Sequence, residues 1–474
     1  MSIGKLLSMG KGALAANQTA LSTTSHNIAN ASTKGYSRQW VEMSAEAPTS
    51  MGIHQLGGGV KIGAVQRVHS DFLNRRIEQE NSNLGHAEGV SDTLQQIESS
   101  FKDDSEQGIS KAVSQFFNDV RTLSTQPESA PLRSAVRESA NAITARFRSV
   151  SENVSSVVTD IDRRIEGSVT EVNSLIGKIA DLNRRIAEVE IRGSSTSAND
   201  ERDQRDVAIQ DLAKLLPISV SETENGGVNV VSDRAGILVN AADAFELKAI
   251  RTGNEANPGS VQIFTTDING KPSTDVTASI DAGAIGGYVN VRDRVVPGLR
   301  DKLDRLAYAL STNVNSVHRQ AFGADGKDGH NFFHEPNSVR GAAANLSLSS
   351  EVMRDPNKIS AGFVPNSPGD NRALLAMADL QDAKVLDGGN ANFVDYTASI
   401  IGELGVQTRG ANENFEVQKG LVDQLGVMRE QVSGVSLDEE AIHMIQYQKA
   451  FDASAKMIQV ADQMYDTVLS LKRF

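Results

Sequence analysis

The residues of this 474-residue chain that could do chemistry are its eight histidines and several neighbouring carboxylates. His330 and His334 are four residues apart, as in a helical zinc motif, but Asn-Phe-Phe stands between them where the catalytic glutamate is needed. The surrounding segment GADGKDGHNFFHEP contains Asp325 and Asp328 and is similar in outline to a calcium loop. Lys327 stands at a ligand position and the closing glutamate is missing from its place, so we interpret the segment as a solvated turn.

The other acidic groups favour structural roles over acid–base catalysis. Three aspartates share an arginine-rich helical segment, where ion pairs within the helix are expected: Asp200, Asp203 and Asp206. Two acidic pairs are interpreted as a solvated loop and a helix start: Asp103-Asp104 and Glu439-Glu440. The GxSxG pattern is absent, and LGGGV lacks the strand–helix setting of a nucleotide loop. The sequence therefore predicts no enzyme, no metal site and no cofactor.

Composition excludes further classes of protein. A formal net charge of −13 argues against binding to nucleic acid or to an anionic membrane surface. There is no cysteine, which removes disulfides and thiolate metal sites. No apolar run approaches the roughly 18 residues of a membrane span. Lys11, Asn17 and Gln18 interrupt the first segment, so it does not match a secretory signal peptide. A cytoplasmic location and export by another route both remain open.

The two ends of the chain carry matching apolar seams with seven-residue spacing. The first consists of Leu7, Leu14, Leu21 and Ile28, and the second of Leu437, Met444, Phe451, Ile458 and Tyr465. Seams this narrow are suited to lying along another helix, so we expect the ends to form long helices that pack on each other. Gly35 is expected to stop the first helix as a left-handed C′ residue, and Ser436 with Glu439 to cap the second. His26 and His443 lie in these segments; facing each other they could sense pH, but we interpret them as isolated polar positions.

Helical periodicity also fills much of the interior. It covers Asp71 to about Ile191, with interruptions near Lys102–Ser105 and Gln126–Pro131, and then Leu299–Val317 and Ala373 to about Met428. Asp200 is expected to cap the helix that begins near it, with Glu201 and Arg205 paired.

The period changes to two in two places, which predicts strands. Residues 51–68 are expected to form a small hairpin after a glycine turn. Residues 217–280 read as a β domain, with turns at Asn225-Gly226-Gly227 and Asn269-Gly270. The predicted fold is mainly α: a long antiparallel, coiled-coil-like pair of terminal helices, a helical-bundle second layer and an inserted small antiparallel β domain. The expected domains are 1–45 with 430–474, 46–216 with 285–429, and 217–284.

Both ends also carry a family resemblance. Residues 20–39, ALSTTSHNIANASTKGYSRQ, resemble the N-terminal signature of bacterial flagellar rod, hook and hook-associated proteins, and LDEEAIHMIQYQKAFDASAKMIQVADQMYDTVLSL resembles the matching C-terminal signature. Within this axial family, GYSRQ, SGVSLDEE and the blocks ANDERDQRD, IGGYVNVRDRVVPGLRDKLDRLAYAL and RALLAMADLQD are similar to the hook-associated proteins of the hook–filament junction. The β region is short, leaving room for one inserted domain and little for a second.

The resemblance implies a structural role in the flagellum. The terminal seams would pair inside a tube, and a polar joint would connect that tube to the outer helical layer; its motif residues are Ser25, His26, Asn27, Asn30, Gly35, Tyr36 and Arg38. Implied partners are further copies in a ring, the hook protein, a second junction protein on the flagellin side, and an export chaperone at the C-terminal helix. Type III export to an extracellular location is also implied. We expect the ends to be largely disordered in the free monomer and to fold on assembly.

Three rival interpretations stay open. The nearest is a hook or distal-rod subunit, which GYSRQ and DERDQRD disfavour. A secreted binding module acting through residues 217–280 is disfavoured because that segment has no aromatic cluster or charged patch. An intracellular coiled-coil adaptor is disfavoured because neither seam is sustained with charged e and g positions.

Overall fold

The structure, a computed structural model, describes residues 3–51, 54–101, 108–191, 197–223, 225–253, 257–267 and 270–471. These residues are mainly helical, and they contain twelve α-helices: α1 (Ile3–Asn30), α2 (Asp71–Phe101), α3 (Ile109–Thr125), α4 (Ala130–Ile191), α5 (Asn199–Leu215), α6 (Gly283–Asn290), α7 (Val296–His318), α8 (Ala342–Asn345), α9 (Ser350–Arg354), α10 (Arg372–Asp379), α11 (Phe393–Ser433) and α12 (Leu437–Leu471). A π-helical segment, Val291–Val295, joins α6 to α7.

Eleven short strands lie in the same described ranges: β1 (Gln39–Ala45), β2 (Thr49–Met51), β3 (His54–Leu56), β4 (Val60–Arg67), β5 (Ser219–Glu222), β6 (Val228–Ser232), β7 (Gly236–Asn240), β8 (Asp243–Ala244), β9 (Leu247–Arg251), β10 (Val261–Thr266) and β11 (Pro272–Asp275). β1 pairs with β4 and β2 with β3, which makes a long antiparallel ribbon. The inserted β domain has two antiparallel sheets, ordered β5-β6-β7-β8 and β11-β10-β9.

The helical body is built around α4, which at 62 residues spans about 93 Å. Its apolar positions, from Val136 to Ile186, are buried against α3, α5 and the β domain. α2 packs along α11 beside it. Next to α3, five fully buried aromatic rings pack on one another in the core: Phe116, Phe117, Phe332, Phe333 and Phe393. One continuous apolar core therefore joins the helices to the inserted domain.

The first and last helices run antiparallel and pack on each other. Gly10 of α1 lies against Ile458 of α12, Asn17 lies near Ser454, and Asn27 bonds to Glu440. The predicted fold class, mainly α with a long terminal helix pair and small antiparallel sheets, is confirmed.

Several local expectations need correction. The helix expected over Ala373–Met428 is interrupted: α10 ends at Asp379, and α11 begins only at Phe393. The early hairpin is longer than expected, because its first strand begins at Gln39 rather than after residue 51. Gly35 has a left-handed φ of 83°, yet it closes a turn five residues after α1 ends at Asn30.

Capping at α5 also differs from the expectation. The N-cap is Ala198, which makes no side-chain capping bond, and Asp200 bonds to Gln39 instead. Arg205 bonds to Asn183 and to the carbonyl of Gly226 rather than to Glu201. The turn expected at Asn225-Gly226-Gly227 is present, and Gly226 takes a positive φ of 74° in it. The interruption at residues 102–105, the acidic pair at 103–104 and the turn residue at 269 lie outside the described residues.

Candidate assembly site at the ends of the chain

The joint predicted from the motif centres on the side chain of Asn27, which is buried in α1. Its Oδ1 accepts hydrogen bonds from the Tyr36 hydroxyl at 2.7 Å and the Gln39 N–H at 3.0 Å. Its Nδ2 donates to the Gln39 carbonyl at 2.8 Å and to Oε2 of Glu440 at 3.0 Å. One amide thus connects α1, the strand β1 and the distant helix α12.

Arg38 holds the C-terminal side of the joint. Its Nε donates to Oε1 of Glu440 at 2.8 Å, and its Nη1 donates to Glu439 at 3.1 Å. The Glu440 side chain is 2% exposed, so this pair is largely shielded from water. The Arg38 N–H donates to the carbonyl of Ser433, and Arg429 donates to the carbonyl of Gly35. The C-terminal end of α11 is thereby fixed to the end of the motif.

The outer side of the joint is formed by three aspartates of α5. Asp200 accepts from Nε2 of Gln39 at 2.7 Å, and Asp203 accepts from the Ser37 N–H at 2.7 Å. Nη1 of Arg67 on β4 donates to Asp203 at 2.8 Å and to Asp206 at 2.6 Å. The expected pairing of these aspartates within their own helix is therefore wrong, because they bond across to the motif and the ribbon.

Burial shifts the pKa of two groups in the joint. It raises the pKa of Asp203, and the hydrogen bonds from Arg67 and Ser37 oppose that shift. Burial and the nearby carboxylates of Asp200, Asp203 and Glu440 raise the pKa of Tyr36 well above its usual range. Tyr36 consequently stays neutral and keeps its proton as the donor to Asn27.

Gly35 is required by both backbone and packing. Its φ of 83° is one that side-chain-bearing residues rarely adopt. A Cβ at this position would lie 2.1 Å from Cγ2 of Val207 on α5. The glycine therefore lets the motif approach the outer helical layer closely enough for Ser37 to reach Asp203.

The remaining motif residues surround this centre. Nε2 of His26 lies 3.3 Å from Asp200, and the His26 ring packs edge-on against Tyr36. Asn30 donates to the carbonyl of His26 and accepts from the Thr33 hydroxyl, which closes the last turn of α1. Ser25 is exposed, and its hydroxyl donates to the carbonyl of Leu21 in the same helix. His443 does not face His26; its ring stacks against Tyr447.

The two predicted apolar seams differ in how deeply their residues are buried. Leu7, Leu14, Leu21 and Ile28 are all partly buried, whereas the fully buried stripe of α1 consists of Gly10, Ala16, Ala20, Thr24 and Asn27. A Cβ on Gly10 would lie 2.8 Å from Ile458, so small residues let the two helices approach closely. Sequence reasoning missed this stripe, although small residues at helical spacing were its visible signal.

On α12, the predicted residues divide between two environments. Met444, Phe451 and Ile458 are partly buried, while Leu437 is 56% exposed and Tyr465 is 52% exposed. More apolar side chains are exposed along the same helix: Ile442, Ile445, Met457, Val460, Met464, Val468 and Leu469. We call these seven, with Leu437 and Tyr465, the outer stripe of α12.

The described residues contain no group of three or more potential metal-ligating side chains. In the segment that is similar to a calcium loop, Asp325 accepts from the Lys327 N–H, as in an ordinary turn. Within the same described ranges, no helix is both long and apolar enough to cross a bilayer.

Comparison with known proteins gives the family. The model of the flagellar hook-associated protein FlgK helical domain matches residues 94–333, about half of the chain. The chain belongs to the FlgK family of flagellar hook-associated proteins. Models for the flagellar basal body rod protein and the C-terminal region of flagellar basal body rod FlgEFG proteins match residues 7–36 and 430–471. These two segments are α1 with the motif, and α12 with the end of α11.

Full-length relatives agree with the FlgK family. Flagellar hook-associated protein 1 of Bacillus subtilis is 27% identical, over 98% of this chain and 97% of the relative. The protein of the same name from Salmonella typhimurium is 24% identical, over 99% and 100%. The flagellar hook junction protein FlgK of Burkholderia pseudomallei has the same fold, with a TM-score of 0.68 over 76% of this chain and all of that chain, at 13% identity. The resemblance inferred from the terminal motifs is confirmed, and the chain is a structural protein of the flagellum that assembles with other axial components.

Proposed function

We propose that this chain forms the ring at the junction between hook and filament, on which flagellin polymerises. Two observations together carry the proposal. Hydrogen bonds and ion pairs connect both ends of the chain in the joint, and the outer stripe of α12 exposes apolar side chains. The joint holds the terminal helix pair against the helical body, and the stripe offers a long apolar surface for neighbouring axial subunits. The names of the full-length relatives support the same role.

The finer parts of the proposal concern partners and organisation. The ring would contact the hook protein on one side and a second junction protein on the side of flagellin. The chain would leave the cell through the flagellar type III system, with a chaperone covering the C-terminal helix before export. We propose residues 1–45 with 430–474 as the inner-tube domain, 46–216 with 285–429 as the helical body, and 217–284 as the inserted β domain.

Deleting the gene tests the function directly. Electron microscopy of the cells and a blot for flagellin in the medium are the two readouts. Finished hooks without filaments, with flagellin lost to the medium, are the expected result. Absent or malformed hooks would assign the chain to the hook or distal rod instead. Normal filaments would overturn an axial role and leave the β domain as the candidate functional part.

We further propose that the terminal helices become ordered only on assembly. The outer stripe exposes much apolar surface, and the contact with α1 buries one side of α12 only. Amide exchange on the dilute monomer is expected to be fast in residues 3–30 and 437–471 and slow in α4. Protected termini at micromolar concentration would overturn this part of the proposal, while the ring function would still stand.

A further inference from the structure

The helix α4 lies beneath both sheets of the inserted β domain. Its buried residues Val172, Ile176 and Ile179 belong to the same apolar core as Leu238 and Ile263 of the sheets. The hydrophobic driving force is not directional, so hydrogen bonds specify the position of a sheet on a helix more sharply than apolar burial alone. Directional bonds between α4 and the sheets are therefore the contacts that could fix the position of the domain.

Asn183 of α4 supplies one such contact. Its Oδ1 accepts from the N–H of Val228 at 3.1 Å, and its Nδ2 donates to the carbonyl of Val228 at 2.8 Å. The same Nδ2 donates to the carbonyl of Ala241 at 2.6 Å. Arg205 of α5 donates to Asn183 at 3.0 Å and to the carbonyl of Gly226 at 2.8 Å. Asn183 is 2% exposed, so these bonds form away from water.

Asn173 makes the same contact with the other sheet. Its Oδ1 accepts from the N–H of Leu247 at 2.9 Å, and its Nδ2 donates to the carbonyl of Leu247 at 2.8 Å. The amide of a helix side chain thus takes the place that a neighbouring strand would have in a ladder.

Asp162 and Arg292 together form a third contact of this kind. Asp162 accepts from the N–H of Val261 at 3.2 Å, and Nη1 of Arg292 donates to the carbonyl of Val261 at 2.6 Å. The two side chains bond to each other at 2.8 Å, and both are almost completely buried. Arg292 lies in the π-helical segment between α6 and α7, which brings the guanidinium to this strand.

The three contacts share one bonding pattern. Each takes both backbone groups of one residue, and that residue is the first of its strand: Val228 of β6, Leu247 of β9 and Val261 of β10. Their partners on α4 are 11 and 10 residues apart, which is about three helical turns each time. We infer that Asp162, Asn173 and Asn183 are positioning residues that fix the inserted β domain on α4 in one orientation.

The inference has a mechanical consequence. A domain held at three points along about 30 Å of one helix cannot swing about its two connecting segments. The β domain is therefore a fixed part of the outer surface of the helical body rather than a module tethered to it. This conclusion does not depend on the proposed position at the hook–filament junction.

Spin-label distances test the inference on the full chain. The chain has no cysteine, so Ile237→Cys on the exposed side of β7 and Asn118→Cys on α3 give one label each. We expect one narrow distance distribution in the chain that carries only these labels. Asn173→Ala combined with Asn183→Ala is expected to broaden it, and to speed amide exchange at Leu247 and Val228 by about tenfold or more.

Two controls separate positioning from folding. Asn153→Ala removes an exposed asparagine of the same helix and should leave the distribution narrow. Asn173→Asp keeps the shape and the acceptor but removes the donor, so it should loosen β9 while circular dichroism shows an intact helical body. A broad distribution before any substitution at Asn173 or Asn183, or an unchanged narrow one in the double variant, would overturn the inference.

Discussion

At the scale of single residues, asparagine recurs as the connector of this molecule. Asn27, Asn173 and Asn183 each take both backbone groups of one strand residue. Asn315 likewise bonds both backbone groups of Phe333, which lies outside the named strands, and it also accepts from the N–H of Phe332. A carboxylate could only accept and an ammonium could only donate, so an amide is the side chain suited to this task.

Gly35 gives a prediction at this scale. Gly35→Ala should disrupt the joint, because the added methyl meets Val207 and the left-handed backbone costs about 1 kcal/mol or more. Filament-bearing cells, counted after complementation of a deletion strain, should become rare. Combining the change with Val207→Ala removes the collision but leaves the backbone strain, so recovery should be partial. Full function of the single variant would contradict this account of Gly35.

His318 gives a second prediction, through pH. It is fully buried, its Nδ1 contacts the carbonyl of His330 at 2.7 Å, and its Nε2 accepts from the Ser360 N–H at 3.0 Å. Burial lowers the pKa of His318 from 6.5 to about 4. Between these two pH values the unfolded chain binds the proton that the folded chain excludes. The free energy of unfolding should therefore fall by about 3 kcal/mol as the pH drops from 6.5 to 4, and this contribution is fully present above 6.5.

Denaturant unfolding at several pH values measures that change. His318→Gln should remove this part of the pH dependence, although it also lowers stability at neutral pH. His334→Gln, which alters an exposed histidine, should leave it in place. An identical pH dependence with and without His318 would show that another group is responsible.

At the scale of elements, the joint brings together two segments that are far apart in the chain, the motif after α1 and the start of α12. The motif after α1 contributes Asn27 and Arg38, and the start of α12 contributes Glu440. The helix α5 supplies the aspartates on the outer side. Each element leaves polar groups unsatisfied unless the other two are in place, so the three are expected to order together.

A double-mutant cycle at Arg38 and Glu440 tests this coupling. Arg38→Met leaves a buried carboxylate without its cation and should destabilise the joint by about 3–5 kcal/mol. Replacing both with Arg38→Met and Glu440→Leu removes the uncompensated charge, so the double variant should be less impaired than Arg38→Met. The fraction of hooks that carry filaments is the readout. The cycle also needs the single variant Glu440→Leu. If the loss in the double variant equals the sum of the losses in the two single variants, coupling between the two positions is excluded.

At the scale of the whole molecule, one side of the terminal helix pair is closed and the other is open. The closed side is the small-residue contact between α1 and α12. The open side carries Ile442, Ile445 and Val460 of the outer stripe, which the rest of the described chain leaves uncovered. Tyr465 and Val468 extend the row of the α1 contact past Ala461, where they are exposed. Such a surface favours association with other subunits over a stable solitary monomer.

Charges placed in the outer stripe provide the fourth prediction. Ile445→Asp and Val460→Asp should block assembly, because each buries an unpaired carboxylate once neighbours pack against it. The monomer should unfold as before, since both side chains are exposed in the single chain. Gln446→Asp adds the same charge at an exposed polar position of α12 and should be tolerated better. Flagellin in the medium and filament counts are the measurements, and normal filaments with both variants would exclude the stripe as an interface.

Local pattern was sufficient for much of the fold. The 3.6-residue period of α4, the two-residue period of the β domain and the turn at Gly226 depend on neighbouring residues only, so they could be predicted from the sequence. The family could also be inferred from the sequence, because the terminal motifs are contiguous stretches of residues. The interruption after α10 was missed although the run Asp387-Gly388-Gly389 is a turn signal visible in the sequence, and all three residues take positive φ.

Only the tertiary structure decided how the motif residues work. Asn27 and Glu440 are 413 residues apart in sequence, and no local pattern indicates that their side chains bond. The aspartates of α5 lie among arginines of their own helix, which suggested local pairs, but burial against the ribbon favoured Arg67 and the motif backbone instead. The exact packing of α1 depended on Gly10, Ala16 and Ala20, because close approach of two helices is set by the partner surface as much as by the helix itself.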